Sequence, residues 1–316
     1  MAEAPRAGRK EGPPREIACP LCGARDTRRL FTKFELGIER CRRCRLVYAN
    51  PRAPEDVILA RYSSHYFWHE YLPNAGAPGG VIDDVLLDGR HGSMLALIRS
   101  TAPDATRLLE IGSGAGLFLR AASRAGWAVA GLELSEEGAA FARDRLGLDV
   151  RTERAEAMSF EPASFDVAVM FDVIEHLFEP RGVLEATRRA LRPGGILVVS
   201  TPNLQALSRY ALGKNWAVLS PLEHTCYFEE NTLERMLTAC GFTILQSRPV
   251  LDMMPEYLMN ADYTHAPAGR RAELYRKFVR RYGWRLRDWV QRAGRADALV
   301  AVARANESDS IHDQAT

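Results

Sequence analysis

Leu108-Leu109-Glu110-Ile111-Gly112-Ser113-Gly114-Ala115-Gly116 is the stretch on which the fold turns. A short apolar run reaches a carboxylate, breaks into alternating glycines, and gives way at once to the helical pattern of 116–125. That order predicts a buried strand over 107–111, a tight turn and a helix. Glycines in such a turn let the backbone approach a ligand and take up positive φ. A dinucleotide site expects G-x-G-x-x-G with a pyrophosphate on the helix N-terminus. Here the spacing is G-x-G-x-G behind a carboxylate, which suits a cationic ligand without a phosphate.

The alternation continues outward from this turn. Apolar runs at 127–133, 165–172 and 195–201 read as further strands, separated by helical patterns at 135–146 and 180–191. Continuous apolar strands alternating with amphipathic helices predict a mostly parallel sheet covered on both faces, a doubly wound α/β domain. The second strand ends at Glu133, where an acidic side chain can grip two ribose hydroxyls. From 202 to 228 the pattern fails, and the expectation is a long lid over the site. A helix at 230–240, a strand at 242–250, a basic helix at 268–293 and a last strand at 297–304 complete the reading.

Composition sets the limits. The chain has 316 residues, 47% hydrophobic and 26% charged, enough for one large domain and a small appendage. A net charge of +2 argues against nucleic acid as a partner of the whole molecule. No apolar run approaches the roughly 18 residues of a membrane span, and residues 1–16 lack a secretory pattern, so the expected location is the cytoplasm. Cys19/Cys22 and Cys41/Cys44 form two C-x2-C pairs with eighteen residues between them. In a cytosolic chain that spacing predicts a structural, four-thiolate Zn2+ site, closed to substrate. Cys226 and Cys240 read as small buried apolar residues. Arg42, Arg43 and Arg45 form a basic knuckle that leaves a local nucleic-acid contact open.

The ordered motifs E-x-G-x-G-x-G, strand-end Glu133, FDVAVMFDVIEHL (165–177), LRPGG (191–195) and STPN (200–203) resemble the class I S-adenosylmethionine (SAM)-dependent methyltransferases of the ubiquinone-biosynthesis-like group. The resemblance covers residues 92–304 and implies a Rossmann-like, seven-stranded sheet. It implies that Gly112, Ser113, Gly114 and Gly116 line the methionine end of SAM with Glu110 near its amino group. Glu133 and Leu134 would meet the ribose and the adenine side, and Phe171 and Asp172 would close over the ligand. Many relatives place an aspartate near Arg154 to hold the adenine amino group; here Ala155, through its amide, or Glu156 takes that place. The N-terminal segment CRRCRLVYANPR (41–52) resembles that of bacterial sugar C-methyltransferases, whose zinc module packs on the catalytic domain. The implied organisation is a zinc module at 17–50, a connecting helical segment at 51–91, a methyltransferase domain at 92–304 with a lid at 202–228, and disordered tails at 1–16 and 305–316.

Two chemistries compete for the catalytic residues. In one, His224 or Tyr227 acts as general base on a small polar acceptor, a sugar or sugar-containing metabolite. In the other, Asp172, Glu175, His176 and His224 hold a second divalent cation. This set resembles the arrangement in RNA 3′-terminal 2′-O-methyltransferases and ubiquinone-pathway O-methyltransferases, and such an ion polarises vicinal hydroxyls. Glu175 and His176 as a structural turn, and a SAM-binding adaptor without turnover, are the remaining readings. Between Arg270 and Arg295 ten Arg/Lys face Glu273 and Asp288, and Leu274, Phe278, Tyr282, Leu286 and Trp289 recur at near-helical spacing. That segment reads as a cover helix packed through this stripe, or as a peripheral membrane contact.

Overall fold

Each apolar run of the sequence reading forms a strand, because its alternate residues are buried on opposite sides of one sheet. In this computed structural model residues 12–60, 63–250 and 270–307 are described. Residues 1–11 and 308–316 of the expected tails, and residues 268–269 of the expected basic helix, lie outside that range. The chain opens with β1 (Thr27–Lys33), β2 (Leu36–Cys41) and β3 (Val47–Ala49). A helical connection follows: α1 (Glu55–Leu59), α2 (Ser64–Tyr66), a π-helical turn at Phe67–Tyr71, α3 (Leu72–Asn74) and α4 (Asp84–Thr101). The alternation then runs β4 (Arg107–Ile111), α5 (Leu117–Arg124), β5 (Ala128–Glu133), α6 (Glu136–Ala140), β6 (Val150–Thr152), β7 (Phe165–Phe171), α7 (Pro180–Ala190) and β8 (Leu191–Pro202). After α8 (Leu207–Leu212) and β9 (Cys226–Tyr227) come α9 (Glu230–Ala239), β10 (Phe242–Val250), α10 (Arg270–Arg292) and β11 (Ala298–Ala305).

The main sheet is seven-stranded in the order β10-β11-β8-β7-β4-β5-β6, and only β11 runs against its neighbours. Leu109, Ala168, Met170, Leu197 and Val199 point into one core, with α7 and α9 over them. Leu108, Val167, Val169, Ile196 and Val198 point into the other, beneath α4 and α5. This is the expected Rossmann-like, doubly wound sheet. From β4 the chain steps outward through β5 and β6, then returns to β7 on the other side of β4. The direction of winding reverses there, and a crevice opens at the carboxyl ends of the strands.

Besides β6, which the sequence reading does not contain, three elements differ from it. The stretch expected as an open lid, 202–228, is a packed connector: Trp216 and Leu219 are buried in it. Its β9 pairs antiparallel with β3, so the N-terminal sheet has the order β1-β2-β3-β9 and is completed by residues far along the chain. Strand β8 begins at Leu191 rather than 195, absorbing the LRPGG segment, with Gly194 at φ 73°. Helix α10 is turned round. Ala272, Tyr275, Val279 and Val290 face inward, whereas Leu274, Phe278, Tyr282 and Trp289 of the expected packing stripe are exposed. The inward face carries the smaller side chains, which lets the helix sit closely on Leu204, Leu212 and Ile38.

Candidate active site

The glycine turn after β4 has the conformation the sequence demands: Gly112, Gly114 and Gly116 all have positive φ. At Gly114 there is a second constraint, because an added Cβ would fall 1.9 Å from the Tyr71 hydroxyl. That hydroxyl accepts a 3.2 Å hydrogen bond from the Ala115 amide, so the π-helical turn is pinned to the glycine turn. A cavity of about 440 Å³ opens beside it, lined by Glu110, Gly112, Ser113, Gly114, Glu133 and Leu134. Ala155, Glu156, Phe171 and Asp172 line it as well. Gly116, expected at the ligand, does not line it; its absent side chain makes room for Ala142 and Leu148.

The donor set fits a cationic ligand with a ribose. Glu110 is buried, and its Oε2 has no hydrogen-bond partner. Glu133 accepts from the Gly114 amide and the Ser135 amide, both at 2.7 Å, and each oxygen keeps a further lone pair. Ala155 and Glu156 form a 3₁₀ turn at the rim, and neighbouring Arg154 is tied to Glu55 of α1. Asp172, at φ 54°, receives the Ser200 hydroxyl at 3.3 Å and is exposed at the cavity mouth.

Burial, and then the Glu133 charge, hold the Glu110 carboxyl well above the usual range; burial also raises Glu133. Carboxyls raised in the fold contribute most when protonated, and that contribution fades as pH rises through their raised values. A bound cation reverses the preference. SAM binding should therefore release protons, and affinity should climb with pH across the window above the ordinary carboxylate range. Glu110→Gln is expected to leave the thermal midpoint of the ligand-free protein unchanged or higher at neutral pH. The same change should weaken SAM binding by at least about thirtyfold, roughly 2 kcal/mol for a buried charge partner. Calorimetry in buffers of different ionisation enthalpy measures both, and equal affinity in the variant would sink the assignment.

Beyond β7, the turn after Asp172 brings Glu175, His176 and His224 together, with one ligating atom from each within 4.8 Å of the others. Asp172, expected as a fourth member, is outside the cluster. Thr201 donates to Glu175 Oε2 at 2.9 Å, and the buried Oε1 has no hydrogen-bond partner. His176 Nδ1 donates to the Glu223 carbonyl at 2.9 Å and His224 Nδ1 to the Val218 carbonyl at 2.6 Å. Carbonyls accept only, so both protons sit on Nδ1 and each Nε2 presents a lone pair. Burial and then His224 lower the His176 pKa to about 3. The connector fixes this arrangement: the Thr225 amide donates to the Glu175 carbonyl at 2.7 Å, and its hydroxyl to Leu177 at 2.6 Å. His176 lines the main cavity, while Glu175, His224 and Tyr227 border a narrow crevice behind it. Tyr227, the alternative base, is buried with its hydroxyl unsatisfied, and burial pushes that hydroxyl well up. It does not reach the cavity.

In the N-terminal sheet the four thiol sulfurs of Cys19, Cys22, Cys41 and Cys44 lie within 4.8 Å of one another. Cys19 and Cys44 approach to 3.3 Å and Cys22 and Cys41 to 3.6 Å. A tetrahedral Zn2+ site with bonds of about 2.3 Å separates its sulfurs by roughly 3.8 Å, so this donor set fits zinc. Arg42, Arg43 and Arg45 stand exposed beside it.

A family model described as a methyltransferase domain matches residues 86–247, just over half of the chain. The chain belongs to the class I SAM-dependent methyltransferases. Ubiquinone biosynthesis O-methyltransferase of Roseobacter denitrificans is 38% identical over 102 residues, which are 31% of this methyltransferase and 41% of the relative. The enzyme of the same name from a Chelativorans species is 30% identical over 146 residues, 43% and 58% of the two chains. The match thus spans less than two thirds of either relative. Among solved structures, a SAM-dependent methyltransferase from Thermotoga maritima superposes with a TM-score of 0.50 at 19% identity. It covers 77% of this chain and 100% of its own, a likeness of fold.

The sequence had marked the glycine turn and both carboxylates, but not Tyr71, Phe118 or His91, which complete the cavity wall. Tyr71 stands close to Tyr66, Phe67 and Trp68 in the chain. Its spacing ahead of β4 was the only signal, and nothing local says where it docks.

Proposed function

We propose that the protein transfers the SAM methyl group to an oxygen of a small polar acceptor bearing adjacent hydroxyls, a sugar diol or a catechol, with a divalent ion held by Glu175, His176 and His224. The observation that carries this reading is the orphaned Glu175 oxygen set against two imidazoles whose Nδ1 atoms are anchored to backbone carbonyls. A packing role for the Glu-His pair gives no reason to leave a buried carboxylate oxygen unsatisfied, at a cost of about 1–3 kcal/mol. As direct bases, His224 and Tyr227 both border the crevice behind the main cavity rather than the cavity itself. The sequence relatives, O-methyltransferases of ubiquinone biosynthesis, support the same reading. A metal-assisted site at an RNA end shares this chemistry, and an adaptor without turnover gives the cluster nothing to do.

When bound, SAM supplies an electrophilic sulfonium methyl, and the divalent ion lowers the pKa of the acceptor hydroxyl. The chain does the placing. Glu110 would bind the amino group, Glu133 the ribose hydroxyls, and Ala155 or Glu156 the adenine edge. Phe171, packed edge-on against Phe118 at 4.8 Å, forms the apolar wall that excludes water from the transfer path. His176, on that wall, marks where the acceptor oxygen must come.

The test is methyl-labelled SAM with a catechol, a nucleotide sugar, an RNA with a free 3′-terminal diol, and a fractionated cell extract, each with and without added Mg2+. Label on an oxygen of a sugar or catechol, dependent on the ion, is the expected result. Label confined to RNA would move the function to the RNA end, and label on carbon or nitrogen, or SAM bound with no transfer, would overturn the proposal.

A further inference from the structure

Helix α10 has two apolar faces, and the fold uses one. Ala272, Tyr275, Val279 and Val290 pack inward. Leu274, Phe278, Tyr282 and Trp289, spaced i, i+4, i+8 and i+15, remain between 44% and 58% exposed. At 1.5 Å per residue they make a stripe about 22 Å long. A cover helix needs a single apolar face to hold its place, and among the described residues nothing packs over this second one.

Charge on the helix is equally one-sided. Arg270, Lys277, Arg280, Arg281, Arg285, Arg287 and Arg292 are exposed, against the exposed carboxylates Glu273 and Asp288. Arg285 and Arg292 fall on the stripe itself at helical spacing, and Arg281 on its border. The remaining cations continue round the solvent side. The chain as a whole carries only +2, so the helix concentrates an excess that the rest of the molecule offsets. Large aromatic and aliphatic side chains beside a band of arginines suit a boundary that is apolar below and anionic above. A second copy of the chain would set two such basic faces against each other. A nucleic acid would meet the arginines but leave Leu274 without a counterpart.

We infer that α10 seats the protein on an anionic lipid surface, with Leu274, Phe278, Tyr282 and Trp289 entering the headgroup boundary and the flanking arginines meeting lipid phosphates. The inference stands independently of the acceptor and of the metal cluster.

Flotation of the full chain with vesicles of phosphatidylcholine, or of phosphatidylcholine with about one-third phosphatidylglycerol, tests it. Binding to the anionic vesicles alone, falling as salt shortens the screening length, is the expected result. Phe278→Glu combined with Trp289→Glu should cut that binding at least about tenfold while thermal midpoint and SAM affinity stay unchanged. Arg281→Gln with Arg292→Gln should weaken it by about fivefold per charge. Absence of binding, or equal binding by the Glu variant, overturns the inference. A change of elution volume in the Glu variant without any vesicle binding would assign the face to a second copy, and an RNA mobility shift lost in that variant without vesicle binding would assign it to RNA.

Discussion

Glu175→Gln is expected to lower methyl transfer by about two to four orders of magnitude while SAM affinity stays within about threefold. The substitution keeps shape and keeps an oxygen for the Thr201 hydroxyl, but removes the ionisable oxygen that a cation between His176 and His224 would need. Metal analysis of the variant should show one divalent ion per chain fewer, with zinc retained. A role in packing alone predicts a different outcome. Glutamine would then relieve the orphaned oxygen, and stability would rise with activity intact. Asp172→Ala separates the neighbouring functions. Asp172 lies at the cavity mouth and outside the three-residue cluster, so its loss should weaken SAM binding and leave the divalent ion in place. Retention of the ion in Glu175→Gln, or its loss in Asp172→Ala, would contradict the assignment.

Loss of the zinc ion that the four thiols fit is the second large perturbation expected. Structural Zn2+ sites hold small domains with about 10–16 kcal/mol of apparent binding energy. Cys44→Ser, or chelation, is therefore expected to depress the thermal midpoint by more than about 10 °C. The loss should not stay local. Cys19, Cys41, Cys44, Leu46 and Tyr48 share a core with Leu233 and Met236 of α9. Arg40 pairs with Glu229 at 2.6 Å, and Arg235 donates to the Cys44 carbonyl at 3.0 Å. Strand β3 also holds β9, two residues after His224. Activity should fall with the metal, and the divalent ion at Glu175 should be lost from the same sample. A variant that loses zinc yet melts at the same temperature would mean that the thiols are packed rather than ligating.

What the sequence shows well is what repeats along it. β10 begins where expected because Gly241, at φ 83°, ends the preceding helix and Phe242-Thr243-Ile244 favour the extended chain. Glu110 and Glu133 could be placed because a strand end followed by a glycine turn fixes a side chain within a residue or two. The four cysteines were legible for the same reason, since their spacing is the site. β9 was not, because two residues give no periodicity and its partner lies far upstream. Nor was the inward face of α10: near-helical spacing picks out Phe278 and Trp289, whereas the fold buries Ala272, Tyr275 and Val279. Asp172 would join Glu175 and His176 on one side only if a helical turn ran through all three, and its positive φ breaks that turn.

The pairing of Val47 with Tyr227 also sets a timetable. About 180 residues separate the partners, and a ribosome adding about 5–20 residues per second needs roughly ten to forty seconds to make them. Through that interval the outer edge of β3 presents unpaired amides and carbonyls to the cell, next to thiols awaiting their metal. Early zinc capture would fold the hairpin but leave that edge open to other strands until residues 226–227 are made. Newly made copies are therefore more exposed to mispairing than finished ones, and crowding of nascent chains should depress the yield of folded protein more than heating the mature enzyme would suggest.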